Sequence, residues 1–138
     1  MVQCRGIRGA TTVEANTAEA IVQATRELLL ALVEANGVEP DQIASIIFTT
    51  TRDLTATFPA VAARELGWIH VPLLCAHEMD VLGAPMGVVR VLMHVNTEQS
   101  PREIRHVYLR GARVLRPEFG QDLTVLTEDR RGMGGAEQ

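Results

Sequence analysis

Val88-Val89-Arg90-Val91-Leu92-Met93 is an apolar run that contains a single charged residue. The β-branched residues and the length of the run predict a buried strand rather than a surface strand. Because an unpaired guanidinium in a protein core is costly, Arg90 needs a negative partner. That partner is either an internal carboxylate, for which Glu78 is the candidate, or a ligand that carries its own negative charge.

Three further features favour a ligand. A second arginine lies in the glycine-flanked segment Gly6-Ile7-Arg8-Gly9, where the missing side chains allow a close approach to the backbone and are expected to leave Arg8 unusually accessible. Cys75 has apolar neighbours and lies close to Glu78 in the chain, and Tyr108 is the only tyrosine. Together with Arg90, these residues predict an anion-binding site.

The remaining pattern predicts an α/β (α+β) domain with five strands, one long helix and one short helix. Thr17 is a good N-cap for an amphipathic helix that Asn36-Gly37 ends, and Pro59 begins the short helix, which Gly67 ends. The predicted strands cover Gln3–Val13, Ser45–Thr50, Val71–Cys75, Val88–Val95 and Arg105–Leu109. Two helices leave one face of such a sheet uncovered, so copies of the chain are expected to associate through it.

We expect one domain over residues 1–127 and a disordered tail over 128–138, which is polar and glycine-rich.

Composition excludes several classes of function. All 13 basic residues are arginines, so lysine-based Schiff-base and phosphate-loop chemistry is excluded. The net charge of −4 and the absence of a basic stripe argue against nucleic acid, and no apolar stretch is long enough to span a membrane. Two distant cysteines and no apolar signal segment predict a cytoplasmic protein.

Each candidate site residue also has a simpler interpretation. Cys75 with His77 could form a cysteine hydrolase pair, but a buried structural thiol is the commoner role of a free cysteine. Cys75 and the four histidines do not show zinc-ligand spacing. Other candidates also have ordinary structural interpretations: Glu78 as a solvated turn carboxylate, Tyr108 as a core residue, Phe58 as a cap on the core, and Arg116 as a surface residue.

Many short motifs, taken in order, closely resemble the small monofunctional chorismate mutases of the trimeric, barrel-like α/β class. The resemblance runs from about Arg5 to Pro117. It is carried by Arg5-Gly6-Ile7-Arg8-Gly9-Ala10-Thr11-Thr12-Val13-Glu14, Asp53-Leu54, Phe58-Pro59-Ala60, Arg64-Glu65-Leu66, Val71-Pro72, Glu78-Met79-Asp80-Val81, Arg90-Val91, Arg105-His106-Val107-Tyr108-Leu109 and Leu115-Arg116-Pro117.

This resemblance implies a homotrimer, a trimeric pseudo-α/β-barrel with active sites between neighbouring subunits. It also implies the rearrangement of chorismate, a dianion, to prephenate without metal or cofactor. Arg8 and Arg90 then match anion-binding and ether-oxygen-contacting arginines, Glu78 and Cys75 match residues that bind the ring hydroxyl, and Tyr108 matches a carboxylate-contacting hydroxyl. The pocket or rim positions of the family match Phe58, Ala60, Arg64, Leu115 and Arg116.

The chain departs from the family pattern at two positions. Val61 stands where a lysine is found, and Leu74, also a wall position of the pocket, stands where a threonine is found. We expect these changes to weaken substrate capture more than turnover. The alternative function is that of a regulatory module, a non-catalytic trimer that binds a small carboxylate.

Overall fold

The run Val88–Met93 begins strand β4 (Val88–Thr97), which is the central strand of a five-stranded sheet. The structure is a computed structural model that describes residues 1–119. The other strands are β1 (Gln3–Thr12), β2 (Ile43–Thr50), β3 (Leu73–His77) and β5 (Val107–Tyr108), and the sheet order is β3-β2-β4-β1-β5. Strand β4 pairs antiparallel with β1 and β2, whereas β2–β3 and β1–β5 are parallel. The predicted mixed five-stranded sheet is confirmed.

Helix α1 (Ala18–Asn36) begins and ends where the capping residues predict. The Thr17 side chain accepts a hydrogen bond from the Ala20 amide at 3.1 Å, and Gly37 adopts the left-handed conformation that ends a helix. Helix α2 (Ala60–Glu65) follows Pro59 and ends before Gly67, which has a φ of 87°. Both helices pack on the same face of the sheet, since α1 contacts β1 and β5 and α2 contacts α1 and β3.

The core lies between these helices and the inward-facing sheet residues. Leu28 and Leu32 of α1 are fully buried beside Ile7, Phe48 and Met93 of the strands. Each such side chain contributes about 1.5–3 kcal/mol through burial. Burial of this apolar stripe holds α1 on the sheet and fixes which face of each strand is left for the site.

The close approach predicted at the glycines of β1 is made by the helix. A Cβ atom at Gly9 would lie 3.1 Å from both Leu28 Cδ1 and Leu32 Cδ1. Gly9 therefore allows α1 to pack closely on β1, and Arg8 on the opposite face is half-buried rather than unusually accessible. The expectation that the glycines expose Arg8 is wrong for this physical reason.

The opposite face of the sheet carries no α-helix among residues 1–119, as the strand count predicts, although the 3₁₀ helix Arg110–Val114 packs through Ala112 against Ala10 and Val88. Leu74, Ile47, Leu92 and Arg8 lie in register in one row across β3, β2, β4 and β1. Leu74 is exposed, and Ile47 and Leu92 are only partly covered. This face, which neither α1 nor α2 covers, is called the open face below.

Each of the five strands differs from the prediction at one end or both, and the third and fifth strands differ most. The third strand begins at Leu73 instead of Val71, because the Val71 amide donates to the Trp68 carbonyl in a turn. The fifth strand has two residues instead of five, because the backbone N–H and C=O of Arg105 bind the Asn36 side chain at 2.7 and 2.9 Å. Short 3₁₀ helices lie at Pro40–Gln42, Arg110–Val114 and Pro117–Phe119. The predicted domain end at 127 and the tail 128–138 lie outside the described residues.

Candidate active site

Arg90 and Glu78 form an ion pair on the open face. Arg90 Nε lies 3.3 Å from Glu78 Oε2, and Thr49 Oγ1 donates to the same oxygen at 2.5 Å. Strand pairing sets Thr49 directly beside Arg90, and the Glu78 amide donates to the Thr50 carbonyl at 2.7 Å. The predicted internal carboxylate therefore exists, and the Thr49 hydroxyl fixes its orientation.

The apolar run predicts a buried Arg90, but its guanidinium is only partly buried. The long side chain of Arg90 extends from the central strand toward solvent. Its side chain is 41% exposed, while within the described chain the Nε atom is buried and makes no hydrogen bond of acceptable geometry. The contact with Glu78 is thus a charge interaction that leaves hydrogen-bonding capacity on Arg90. An anion placed beside it would supply the missing acceptor.

A cavity of about 220 Å³ opens beside this pair. Arg90, Glu78 and Leu115 form part of its wall, and residues of the loop 79–86 form much of the rest. This volume is smaller than the roughly 300–1,000 Å³ of typical ligand pockets. One chain therefore provides an incomplete enclosure for a ligand.

Asp53 anchors the end of that loop, a role that the sequence analysis did not identify. Asp53 Oδ1 accepts from Thr51 Oγ1 at 2.6 Å and from the Gly87 amide at 3.2 Å. Gly87 has a φ of 69°, which favours glycine. The hydrogen bond from Thr51 is the main cause that holds the pKa of Asp53 below its ordinary value. The signal in the sequence was the spacing of Gly83 and Gly87, which marks two left-handed turns in one loop.

We expect Asp53→Asn to lower the melting temperature at neutral pH. The folded pKa of Asp53 is lowered, so its stabilisation is complete above the ordinary aspartate pKa of about 3.9 and is lost as the pH falls through the folded value. The difference in melting temperature between wild type and variant should therefore be constant near neutrality and shrink in strong acid. Calorimetry across pH measures this difference, with Asp41→Asn as a control that makes the same change of charge at another exposed aspartate. A pH-independent difference would contradict this role.

A row of residues in register continues the site across the sheet. Ala76, Thr49, Arg90, Ala10 and Tyr108 lie side by side on the five strands. Only the small Ala10 separates Arg90 from Tyr108, and Arg8 lies two residues along β1 on the same face. The sheet thus brings together three of the residues predicted to bind an anion.

The chain after β5 completes this group. Leu115 packs against the cluster that contains Tyr108, which is buried with 3% of its surface exposed. That burial agrees with the alternative core role, and contact between the Tyr108 hydroxyl and a ligand stays a prediction. Arg116 pairs with Glu118, its Nε donating at 2.8 Å. Arg8 and Arg116 both lie close enough to His106 to influence its titration.

The other predicted residues form a second group near α2. Cys75 is in register with the core residue Phe48, so its side chain points to the helix-covered side of the sheet. There it lies near Ala60, which is buried, and Arg64, which is exposed. Phe58 is 66% exposed just before this helix, and Leu74 is exposed on the open face of the same edge strand.

Cys75 and Glu78 therefore do not meet within one chain. They are close in sequence, but β3 sends Cys75 toward the helices while Glu78 turns back onto the open face. The structure brings together the group Arg8, Glu78, Arg90, Tyr108, Leu115 and Arg116, and it separates from it the group Phe58, Ala60, Arg64 and Cys75. The first set is called the arginine half-site and the second the helix half-site.

The cysteine hydrolase alternative is contradicted by the local chemistry. Burial raises the pKa of the Cys75 thiol, which disfavours the thiolate that a nucleophile requires. His77 lies near Thr50 rather than near the thiol, with Nδ1 3.4 Å from Thr50 Oγ1. Residues 1–119 contain no group of three or more His, Cys, Asp or Glu side chains placed to hold a metal ion.

Comparison with known proteins places these findings in one family. A sequence model of the family "Chorismate mutase type I" matches residues 4–119. The chain is 56% identical over 116 residues to Chorismate mutase AroH of Thermus thermophilus, covering 83% of this chain and 95% of that protein. It is 48% identical over 125 residues to Chorismate mutase AroH of Bacillus subtilis, covering 90% and 97%.

A solved structure is also similar. The chain matches a chorismate mutase from Clostridium thermocellum with a TM-score of 0.79 and 54% identity, over 80% of this chain and 98% of that one. In addition, no helix within residues 1–119 is long and apolar enough to cross a bilayer.

Proposed function

This chain belongs to the chorismate mutase type I family, and we propose that it rearranges chorismate to prephenate by conformer selection and electrostatic stabilisation. The observation that carries the proposal is the Arg90 guanidinium, which is held against Glu78 at the wall of the cavity. The rearrangement of chorismate to prephenate is the branch step toward phenylalanine and tyrosine.

The reaction needs no external proton or electron. One carbon–oxygen bond of chorismate breaks while one carbon–carbon bond forms, and the electrons move in a cycle within the substrate. Negative charge develops on the ether oxygen as its bond stretches, and the partly exposed Arg90 guanidinium can donate to that oxygen. The Glu78 carboxylate stabilises the partial positive charge that develops on the ring fragment.

The substrate is a dianion, and the arginine half-site can hold it. Arg8 and Tyr108 lie on the same face of the sheet as Arg90, and Arg116 follows Leu115 of the cavity wall. These residues would offer guanidinium and hydroxyl donors to carboxylate oxygens. Fixing both carboxylates holds the reacting ends of the substrate close together, which lowers the entropic part of the barrier.

Homotrimeric assembly would complete the site between subunits. The cavity of about 220 Å³ is small for a ligand, and the helix half-site faces away from it in the same chain. A neighbouring copy that packs on the open face could place its helix half-site opposite the first chain's arginine half-site. The apolar row of Leu74, Ile47 and Leu92 supplies surface for such packing.

Hybrid trimers test this arrangement. Arg90→Ala removes a residue of the arginine half-site, and Arg64→Glu places a repelling charge in the helix half-site. Refolding the two inactive variants together should restore about a quarter of the wild-type sites, because random mixing pairs two intact halves at that frequency. Light scattering should give the mass of three chains. Activity equal to the mean of the separate variants would contradict shared sites.

We expect Val61→Lys to improve substrate capture. Val61 lies half-buried on α2, in a groove with Thr57, Glu65 and residues of α1. A lysine there adds a positive charge at the rim, which should lower KM for chorismate about fivefold and leave kcat unchanged, as expected for a rim charge. Val61→Met is the neutral control of similar length. A lower KM in both variants would assign the effect to packing.

The proposed activity is tested by the loss of chorismate's ultraviolet diene absorbance. Purified protein should remove it rapidly, and acid treatment should convert the product to phenylpyruvate. The rate should be insensitive to pH near neutrality and to deuterated water, because no proton is transferred. A folded trimer without turnover above background would favour the non-catalytic carboxylate-binding module.

We also infer that the protein works in the cytoplasm. Both cysteines, Cys4 and Cys75, are free thiols, and Cys4 is exposed. Free thiols are typical of a reducing compartment. Localisation of a tagged chain by cell fractionation tests the inference.

A further inference from the structure

Strand β5 is unusually short for a strand that carries a site residue. It contains only Val107 and Tyr108, which pair with Gly9 and Ala10 of β1. At one end the Leu109 amide donates to the Ala10 carbonyl at 2.9 Å. At the other end the Arg8 amide donates to Nδ1 of His106 at 3.0 Å. An imidazole nitrogen thus takes the place of a backbone carbonyl in the ladder.

This hydrogen bond requires an uncharged imidazole. Nδ1 can accept only when it carries no proton, so the neutral ring has its proton on Nε2. The surroundings favour that form. His106 is half-buried, Arg8 of β1 and Arg116 after the 3₁₀ helix bring two positive charges near it, and burial followed by these charges lowers its pKa.

The bond connects two groups that face the same ligand. Arg8 and Ala10 lie on the open face of β1, and Tyr108 lies beside Ala10 in the row that contains Arg90. If β5 shifts along or away from β1, the distance between the Arg8 and Tyr108 side chains changes. The ladder between β5 and β1 contains only two residue pairs, so the His106 bond adds a direct link between these strands, whereas the two hydrogen bonds between Asn36 and Arg105 tie the same segment to α1.

We propose that His106 is a positioning residue: its uncharged imidazole accepts the Arg8 amide, ties β5 to β1, and so sets the spacing of the Arg8 and Tyr108 groups that bind the substrate dianion. This inference rests on the proposed function and adds a group that does not itself touch the substrate.

Two variants separate acceptor chemistry from packing. His106→Asn places a carbonyl oxygen near the position of Nδ1 and cannot gain a proton, whereas His106→Leu fills space without an acceptor. His106→Leu should raise KM for chorismate about tenfold with kcat within about threefold, as expected for a lost hydrogen bond that positions binding groups. His106→Asn should keep KM within about twofold of wild type.

The pH dependence provides a second measurement. The pKa of His106 lies below the ordinary histidine value of about 6.5, so the wild-type KM should rise as the pH falls through that lowered pKa and protonation removes the acceptor. The His106→Asn curve should lack that rise. Other titrating groups are the same in both proteins, so the difference between the two curves belongs to His106.

The His106 ring can also be observed without any enzyme assay. Nitrogen-15 NMR of the folded protein should show an unprotonated Nδ1 and a protonated Nε2, with slow exchange of the Arg8 amide that is lost in His106→Leu. Equal KM in the leucine and asparagine variants, or a protonated Nδ1, would overturn the inference. Wild-type protein that shows the expected ring spectrum but does not consume chorismate would overturn the proposed function instead.

Discussion

Arg90→Ala is expected to lower kcat/KM for chorismate by about 10²–10³, the usual loss when one preorganised donor to a developing oxyanion is removed. The strand holds Arg90 in position before the substrate arrives, since its backbone pairs with both Ala10 and Thr49. Its Nε is already shielded from solvent and needs no reorganisation to stabilise charge. Most of the loss should therefore appear in kcat.

The control is Arg90→Lys, which keeps a positive charge but loses the planar donor geometry. We expect it to recover only part of the loss, because an ammonium cannot contact the ether oxygen and a carboxylate with fixed spacing. Circular dichroism and light scattering should show both variants folded and assembled like wild type. Turnover by Arg90→Ala close to the wild-type rate would refute the role assigned to Arg90.

Glu78→Ala is expected to reduce kcat/KM about 10²-fold. It removes the negative charge that favours the positive ring fragment, and it leaves the buried Nε of Arg90 without its ionic partner. It also frees the Thr49 hydroxyl that now donates to Glu78. The variant should therefore lose some thermal stability as well as activity.

Glu78→Gln separates charge from hydrogen bonding. The amide oxygen can still accept from Thr49, so stability should stay near wild type while kcat/KM falls by roughly tenfold. Arg90 and Glu78 are in contact, so the double variant should lose less than the product of the single losses. A fully multiplicative double variant would mean that the two side chains act independently.

Local rules predicted the regular elements well. The Thr17 cap, the Gly37 turn and the apolar spacing of α1 depend on residues within one helix, so the sequence contains all the information. The same holds for β4, which the largely apolar run Val88–Met93 predicts and which lies at the centre of the sheet. Errors occurred where distant groups competed, as when the Asn36 side chain took the backbone of Arg105 and shortened β5.

The way in which the fold divides the predicted site residues between the two sides of the sheet was not predictable from the sequence. Sequence motifs identified Arg8, Glu78, Arg90 and Cys75 as one site. Whether Cys75 and Glu78 share a side of the sheet depends on how the chain turns after β3, which is set by the pairing of Glu78 with Thr49 and Thr50. The Asp53 anchor and the His106 bond likewise join residues 34 and 98 positions apart.

The sequence by itself determined the fold class, the identity of the charged residues and the ends of α1, because periodicity, caps and motif order are local properties of the chain. Only the tertiary structure decided which side of the sheet each residue faces. It also decided that Glu78 forms the ion pair with Arg90 and that the two half-sites lie apart in one chain. Those outcomes depend on strand register and long-range hydrogen bonds. A shift of the strand register by one residue would place every side chain of that strand on the other face of the sheet.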